Sequence, residues 1–312
     1  MAKRITVTVP TGKNYDIVIR DDFTGLAREL ETLDTMSRKL CIITDYNVEK
    51  LYADSLAAVL APCCREVFLF SFPAGEQSKH LGTVQDVYRF LIAHGLDRKD
   101  MLIALGGGVV GDLTGYTAAT YLRGIDFIQI PTTLLAQVDS SIGGKTGVDF
   151  DQYKNMVGAF HMPRLVYMNL SVLNDLDARQ YACGMAEILK HGLIRNASYH
   201  EWLIGHFMEI NDRDMDAMEE MIGESCLIKK AVVEKDPTEK GDRALLNFGH
   251  TIGHALEKYK NFTMLHGECV ALGAVAAAYI SWKRELLSRE EYYEIRDMFV
   301  PFGLPISVTD LD

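Results

Sequence analysis

The chain opens with two short β-rich runs, RITVTVP and YDIVIR, separated by TGKN. Their β-branched residues and the glycine between them predict an antiparallel hairpin. The pattern then changes. Apolar runs without polar alternation, KLCIITD, EVFLFSFP, MLIALGGG, DFIQIPTT and LVYMNLS, are separated by helix-like stretches such as VEKLYADSLAAVLA and LGTVQDVYRFLIAHG. A strand with no polar face is buried on both sides, which indicates a parallel sheet with helices over each face. After about residue 174 the strand signals stop. Apolar residues recur at three- and four-residue spacing in DARQYACGMAEILKHGLI, DAMEEMIGESCLIKKAVVEKD and GHTIGHALEKY, the period of a helix with one buried face. The pattern predicts an α/β chain. A doubly wound, mostly parallel-sheet domain is expected over residues 1–174, and an all-helical domain over 175–312.

Composition narrows the class. A length of 312 residues suits two domains, and 48% hydrophobic content is that of a globular chain. The longest apolar run, CVALGAVAAAYISW at 269–282, is too short to cross a bilayer and predicts a buried helix. The opening MAKRITVTVP has no long apolar core, so no signal peptide is expected. A net charge of −11 argues against nucleic acid or an anionic membrane as partner, since both reward positive charge. It leaves room for a small anionic substrate held by a few local cations. Six cysteines without a CxxC pair point to reduced thiols and a cytoplasmic compartment.

Three stretches carry candidate chemistry. ALGGGVVGDLTG places Gly106, Gly108 and Gly111 as G-x-G-x-x-G between a strand and a helix. Glycines there let the backbone approach a phosphate, and the helix start offers N–H groups and the positive end of its dipole. Asp45, at the end of an earlier strand, suits either a ribose hydroxyl or the start of a helix. PTTLLAQVDSSIGGKTGVDF and the following DQYKNMVGAF set Thr132, Thr133, Asp139, Lys145, Asp149, Lys154 and Asn155 in or beside an expected Gly- and Ser-rich loop. Such a loop suits the wall of an anion site. LLNFGHTIGHALEKYKNFTMLHGE holds His250, His254 and His266. The first two share a helix face, but the glutamate of an H-E-x-x-H zinc motif is absent, and His266 competes for the role. Glu257, Glu268, Glu187 and Lys190 add charged neighbours, and spacing leaves open which histidines would bind a metal.

The segments GGGVVGD, IPTTLLAQVDSSIGGKTGVD, KNMVGAFHMP, GMAEILKHG, ALLNFGHTIGHALE and LHGECVALG resemble, in order and spacing, the 3-dehydroquinate synthase family of the sugar-phosphate cyclases, which share a fold with glycerol dehydrogenases. The resemblance implies conversion of 3-deoxy-D-arabino-heptulosonate 7-phosphate to 3-dehydroquinate and phosphate. NAD oxidises the C5 hydroxyl transiently, phosphate is eliminated, the ketone is reduced back, and the opened ring closes by an aldol step. It implies Zn2+ or Co2+ on Glu187, His250 and His266, with His254 turned to the substrate for proton transfer. It implies a catalytic role for Asp139, Lys145, Asn155, Lys190 and His254. It puts Arg123, Lys145, Asn155, Lys190, Lys229, Arg243, Asn247 and His254 around the substrate. The NAD wall is expected from Asp45, Glu76, Lys79, Gly107, Gly108, Asp112, Thr132, Thr133, Lys145 and Lys154, and the working unit is expected to be a homodimer. Other members of the group make an inosose or a valiolone, and the dehydrogenases release NADH. RALLNFGH, with Arg243 and Asn247, resembles the dehydroquinate branch. The chain departs from the family pattern at Asp175 and Asp177, where Thr and Pro are usual, and at Tyr153, where Gly is usual.

Overall fold

The computed structural model describes residues 3–9, 13–237, 239 and 241–308. Its contacts divide the chain between Val172 and Leu173, inside the 3-10 segment Leu170–Asp175 that also contains the boundary expected near residue 174.

Unit 1 begins with β1 (Lys3–Val7) and β2 (Tyr15–Arg20), paired antiparallel as expected, with Val7 opposite Tyr15. The glycine turn between them lies partly outside the described residues. Then follow α1 (Leu26–Glu31), β3 (Lys39–Asp45) and α2 (Tyr46–Val48), which runs through a π turn at Glu49–Ala53 into α3 (Asp54–Leu60). After these come β4 (Glu66–Phe72), α4 (Leu81–Ala93), β5 (Met101–Gly106), α5 (Gly108–Thr120), β6 (Asp126–Pro131), β7 (Lys145–Phe150), β8 (Tyr153–Phe160) and β9 (Leu165–Asn169). Seven strands form one sheet in the order β1-β2-β9-β6-β5-β3-β4, parallel except for β1.

The missing polar alternation now has its cause. Leu40 and Ile42 of β3, with Met101, Ile103 and Leu105 of β5, pack against Leu26, Leu30, Leu56 and Leu60 of α1 and α3. The intervening Cys41, Ile43, Leu102 and Ala104 pack on the other face against Val84, Val87, Leu91, Val110 and Leu113 of α4 and α5. Each of these apolar side chains meets a helix layer on one face or the other, so no polar alternation is needed.

One expectation is corrected. Lys145, Asp149, Lys154 and Asn155 do not lie in a loop but on the antiparallel hairpin β7–β8. Val148 and Val157 face the α4–α5 core from this hairpin, and glycines 147 and 158 lie opposite each other in its register. A methyl on Gly158 would overlap the Thr146 carbonyl, so the two strands approach closely. Glycine, serine and lysine hide the strand period, and burial against α5 supplies what the local sequence lacks.

Unit 2 holds seven α-helices among the described residues: α6 (Ala178–Arg195), α7 (Ala197–Gly205), α8 (Phe207–Asn211), α9 (Met215–Lys235), α10 (His250–Tyr259), α11 (His266–Lys283) and α12 (Arg289–Asp297). Asp177, where the family has Pro, caps α6 by accepting from the N–H groups of Arg179 and Gln180 at 2.9 and 3.3 Å. α10 and α11 cross at glycines. A methyl on Gly273 would overlap the Gly249 carbonyl oxygen, and one on Gly253 would meet the Cys269 carbonyl oxygen at 2.9 Å. α11 contains the long apolar run and is buried over most of its first three turns. Among the described residues no helix is long and apolar enough to cross a membrane.

Candidate active site

In unit 1 the expected nucleotide residues gather at the C-terminal ends of β3, β5 and β6, where open α/β sheets bind ligands. β5 ends at Gly106, and Gly107 and Gly108 begin α5. A methyl on Gly107 would stand 3.1 Å from Thr133, and one on Gly108 would stand 3.2 Å from the Ser140 hydroxyl, so the loop packs on the segment that follows β6. Gly111 lies against Gln129 of β6, where a methyl would approach the amide oxygen to 2.6 Å. Thr132 donates its N–H to Gly106 O at 3.0 Å, and Thr133 Oγ1 accepts from Ala136 N–H at 3.1 Å. Asp45 serves as the helix cap that its position also allowed, accepting from Asn47 and Val48 N–H at 2.9 and 3.2 Å.

A second cluster joins the expected cofactor and substrate residues. Lys79 Nζ donates to Asp112 Oδ2 at 2.7 Å and to Asn155 Oδ1 at 2.6 Å. Asn155 donates its N–H to Asp149 Oδ1 at 2.7 Å, and Lys154 faces Glu76 at 3.5 Å. Burial works against the Lys79 charge, but Asp112, Glu76 and Asp149 outweigh it and raise Lys79 above the usual lysine value, so the ammonium is permanent. Asn155 has φ 53, a left-handed backbone that asparagine tolerates better than most residues. Asp139 lies in the π-helical turn Ala136–Ser140 and Lys145 starts β7, exposed. Arg123 follows the other end of α5, roughly 20 Å along the helix from Gly108.

In unit 2 the three histidines have different surroundings. Glu187 on α6 is fully buried, yet its Oε1 has no hydrogen-bond partner. His266 Nε2 and His250 Nε2 stand 3.4 and 3.6 Å from that oxygen. The other nitrogen of each ring is already used. His250 Nδ1 lies 3.2 Å from Phe248 O, and His266 Nδ1 lies 2.8 Å from Glu257 Oε1. A carbonyl and a carboxylate can only accept, so each Nδ1 carries a proton and Nε2 is the nitrogen that faces Glu187. One oxygen and two Nε2 atoms, all within 4.8 Å of one another, therefore point to a common place. Without a metal, a proton on His266 meets the charge of Glu187. One carboxylate oxygen and two imidazole Nε2 atoms converging on one place are a donor set that fits a divalent metal, which would displace that proton.

A competing trio, His254, Glu257 and His266, also has its atoms within 4.8 Å. It fits less well. Glu257 is occupied as the hydrogen-bond partner that orients His266, and His254 is exposed. Lys190, one turn from Glu187, donates to Glu187 Oε2 and to Leu246 O at 2.6 Å. Burial opposes ionisation of Glu187, but Lys190, His266 and His250 hold its carboxyl well below the usual range. Burial keeps His250 below the usual histidine value, whereas Glu187 and Glu257 push His266 up to about 9 against burial.

Lys190, Lys229 and Arg243 are three buried cations, 1%, 5% and 2% exposed. Arg243 Nη1 donates to Pro237 O at 2.7 Å, and its N–H donates to Asp236 Oδ2 at 3.2 Å. Asn247 Nδ2 donates to Glu239 Oε1 at 3.1 Å. Sequence alone presents Glu257 only as a charged neighbour of the histidines. Its signal was legible, since it lies seven residues after His250 and three after His254 on one face of α10.

Comparison with known proteins places this geometry among relatives. Residues 69–183 match the family described as 3-dehydroquinate synthase N-terminal, and residues 184–312 match 3-dehydroquinate synthase C-terminal. Over 300 residues the chain is 43% identical to a 3-dehydroquinate synthase of Acetivibrio thermocellus, covering 96% of this chain and 83% of that protein. A 2-deoxy-scyllo-inosose synthase solved with carbaglucose-6-phosphate, NAD+ and Co2+ matches with a TM-score of 0.89 at 26% identity, over 98% of this chain and 83% of that one. ValA, a 2-epi-5-epi-valiolone synthase from Streptomyces hygroscopicus subsp. jinggangensis with NAD+ and Zn2+ bound, matches with a TM-score of 0.87 at 30% identity, over 98% of this chain and 86% of that one.

Proposed function

The chain belongs to the 3-dehydroquinate synthase family, and from that premise we propose which of its residues carry the reaction. The activity is that of 3-dehydroquinate synthase: 3-deoxy-D-arabino-heptulosonate 7-phosphate is converted to 3-dehydroquinate and phosphate, a carbon–oxygen lyase step of aromatic amino-acid biosynthesis. NAD and a divalent metal, zinc or cobalt, are its cofactors. NAD supplies a transient oxidation of the substrate that is later reversed. The metal supplies Lewis-acid polarisation of the substrate's hydroxyls.

Glu187, His250 and His266 hold the metal, and Glu257 orients His266. His254, exposed beside them, accepts and returns a proton at a substrate hydroxyl. In unit 2, Lys190, Lys229, Arg243 and Asn247 hold anionic and hydroxyl groups of the substrate. In unit 1, Lys145 and Asn155 hold anionic groups, and Asp139 lies by the reacting hydroxyl; Arg123, beyond the far end of α5, is left out of this set. Gly107, Gly108, Thr132 and Thr133 line the nucleotide's phosphates, Asp45 meets its ribose through Oδ2 while Oδ1 caps α2, and Glu76, Lys79, Asp112 and Lys154 line the remainder. The observation that carries the assignment is the buried Oε1 of Glu187, which makes no ordinary hydrogen bond and faces the Nε2 atoms of both His250 and His266. We also propose a cytoplasmic homodimer. Six free cysteines support that compartment, and sedimentation analysis tests the dimer.

The functional test is phosphate release from the heptulosonate phosphate, with and without a chelator, while absorbance follows NADH. Release that requires metal and catalytic NAD, without NADH accumulating, is expected. NADH rising in step with product would replace this reading with a dehydrogenase.

A further inference from the structure

We propose that Arg179 is a positioning residue for the metal ligand His266, acting through the first turn of α11; this rests on the metal reading above. Arg179, Cys183 and Glu187 follow one another at intervals of four on α6 and share one face. Each meets the start of α11 in turn. Arg179 Nε and Nη2 donate to the two carboxylate oxygens of Glu268 at 2.5 and 2.8 Å. Gly267 donates its N–H to Cys183 Sγ at 3.0 Å, and a methyl on Gly267 would overlap the Cys183 carbonyl oxygen. Glu187 Oε1 stands 3.4 Å from His266 Nε2. These contacts form three rungs that fix the height and rotation of α11 against α6.

The Arg179 rung grips both sides of His266. Glu268 Oε2 also accepts from Leu265 N–H at 2.8 Å, closing the first turn, and Arg179 Nη2 reaches Thr263 O at 3.4 Å. The base of the fork is held in turn, because Asp177 caps the turn that carries Arg179. The Arg179 side chain is 55% exposed, so the pair adds little to folding. A bidentate guanidinium–carboxylate pair still fixes direction, because both groups are planar. Holding a ligand in place needs that direction more than it needs energy.

Cobalt(II) is the probe. The metal-free parent, Arg179→Ala, Arg179→Lys and Glu268→Gln are titrated with Co2+ against a competing chelator, with visible spectra, and each metal-free protein is melted. Glu268→Gln keeps an oxygen for the Leu265 cap while removing the charge that Arg179 grips. Arg179→Ala and Glu268→Gln are expected to bind cobalt about ten- to a hundred-fold more weakly, with altered ligand-field bands. Arg179→Lys, keeping charge but not the fork, should recover part of the loss. All metal-free variants should melt within about 3 °C of the parent. Parent-like affinity and spectrum in Arg179→Ala would overturn the proposal, as would an affinity loss matched by a large drop in metal-free melting temperature. A parent that fails to bind cobalt refutes the metal assignment, and this inference with it.

Discussion

Two imidazoles one turn apart on α10 have different surroundings. His250 is turned by its Nδ1 contact with Phe248 O, so that Nε2 faces the buried Glu187. His254 is exposed and belongs to the trio in which Glu257 is already engaged. His250→Ala should therefore lose the metal on dialysis, and His254→Ala should keep it while turning over slowly. Metal analysis giving the reverse would move the site to the second trio. Lys145 and Arg243 separate in another way. Lys145 is exposed on β7, so Lys145→Ala should melt near the parent temperature. Loss of a charge-assisted substrate contact of about 1.5–3 kcal/mol should cut its kcat/KM ten- to a hundred-fold or more. Arg243, although its motif suggests only a substrate contact, is buried and bonded to Pro237 O. Arg243→Ala should lose both activity and melting temperature, and unchanged melting would show that its burial contributes nothing.

At the scale of elements, the histidines meet because two helices touch backbone to backbone. Gly273 of α11 faces the Gly249 carbonyl, and Gly253 of α10 faces the Cys269 carbonyl. Backbone cannot rotate aside as a side chain can. Gly273→Ala should therefore push α10 off α11, costing about 2 kcal/mol or more and weakening metal retention together. Gly205→Ala, where an added methyl meets nothing within 4 Å, is the control. If Gly273→Ala melts and binds zinc like the control, the close crossing is not what aligns His250 with His266. The same kind of contact explains the hairpin that local sequence concealed. β7 and β8 are strands because Val148 and Val157 reach the α4–α5 core, not because their residues favour strands.

At the scale of the molecule, the charges of unit 1 are sorted along the sheet. The residues proposed for the nucleotide sit at the C-terminal ends of parallel strands, and a cluster of ion pairs sits at the opposite ends. Asp126, which starts β6, faces Arg38 before β3 at 3.0 Å, Arg164 before β9 at 3.3 Å and Lys13 before β2 at 3.7 Å. Burial opposes its ionisation, but Arg38, Arg164 and Lys13 prevail and hold the carboxyl below the usual aspartate range. The unfolded chain thus takes up this proton first as pH falls. The stabilisation is full above the ordinary value of about 3.9 and is lost as pH drops through the lower folded value. Asp126→Asn should cost about 1 kcal/mol at neutral pH and converge with the parent in strong acid, read by urea unfolding across pH. A constant difference down to the lowest pH would contradict this. Much of the architecture was determined by the sequence alone. The period of apolar residues reports which faces are buried, so five parallel strands, their covering helices and the helical second unit were legible, as was the family through its long motifs. Tertiary structure decided the rest. It brought Glu187 to His250 and His266, made a hairpin of a polar stretch, and set Arg179 against Glu268 across 89 positions. The physical reason is that a local pattern encodes burial, whereas the direction of a lone pair depends on how closely distant backbones approach.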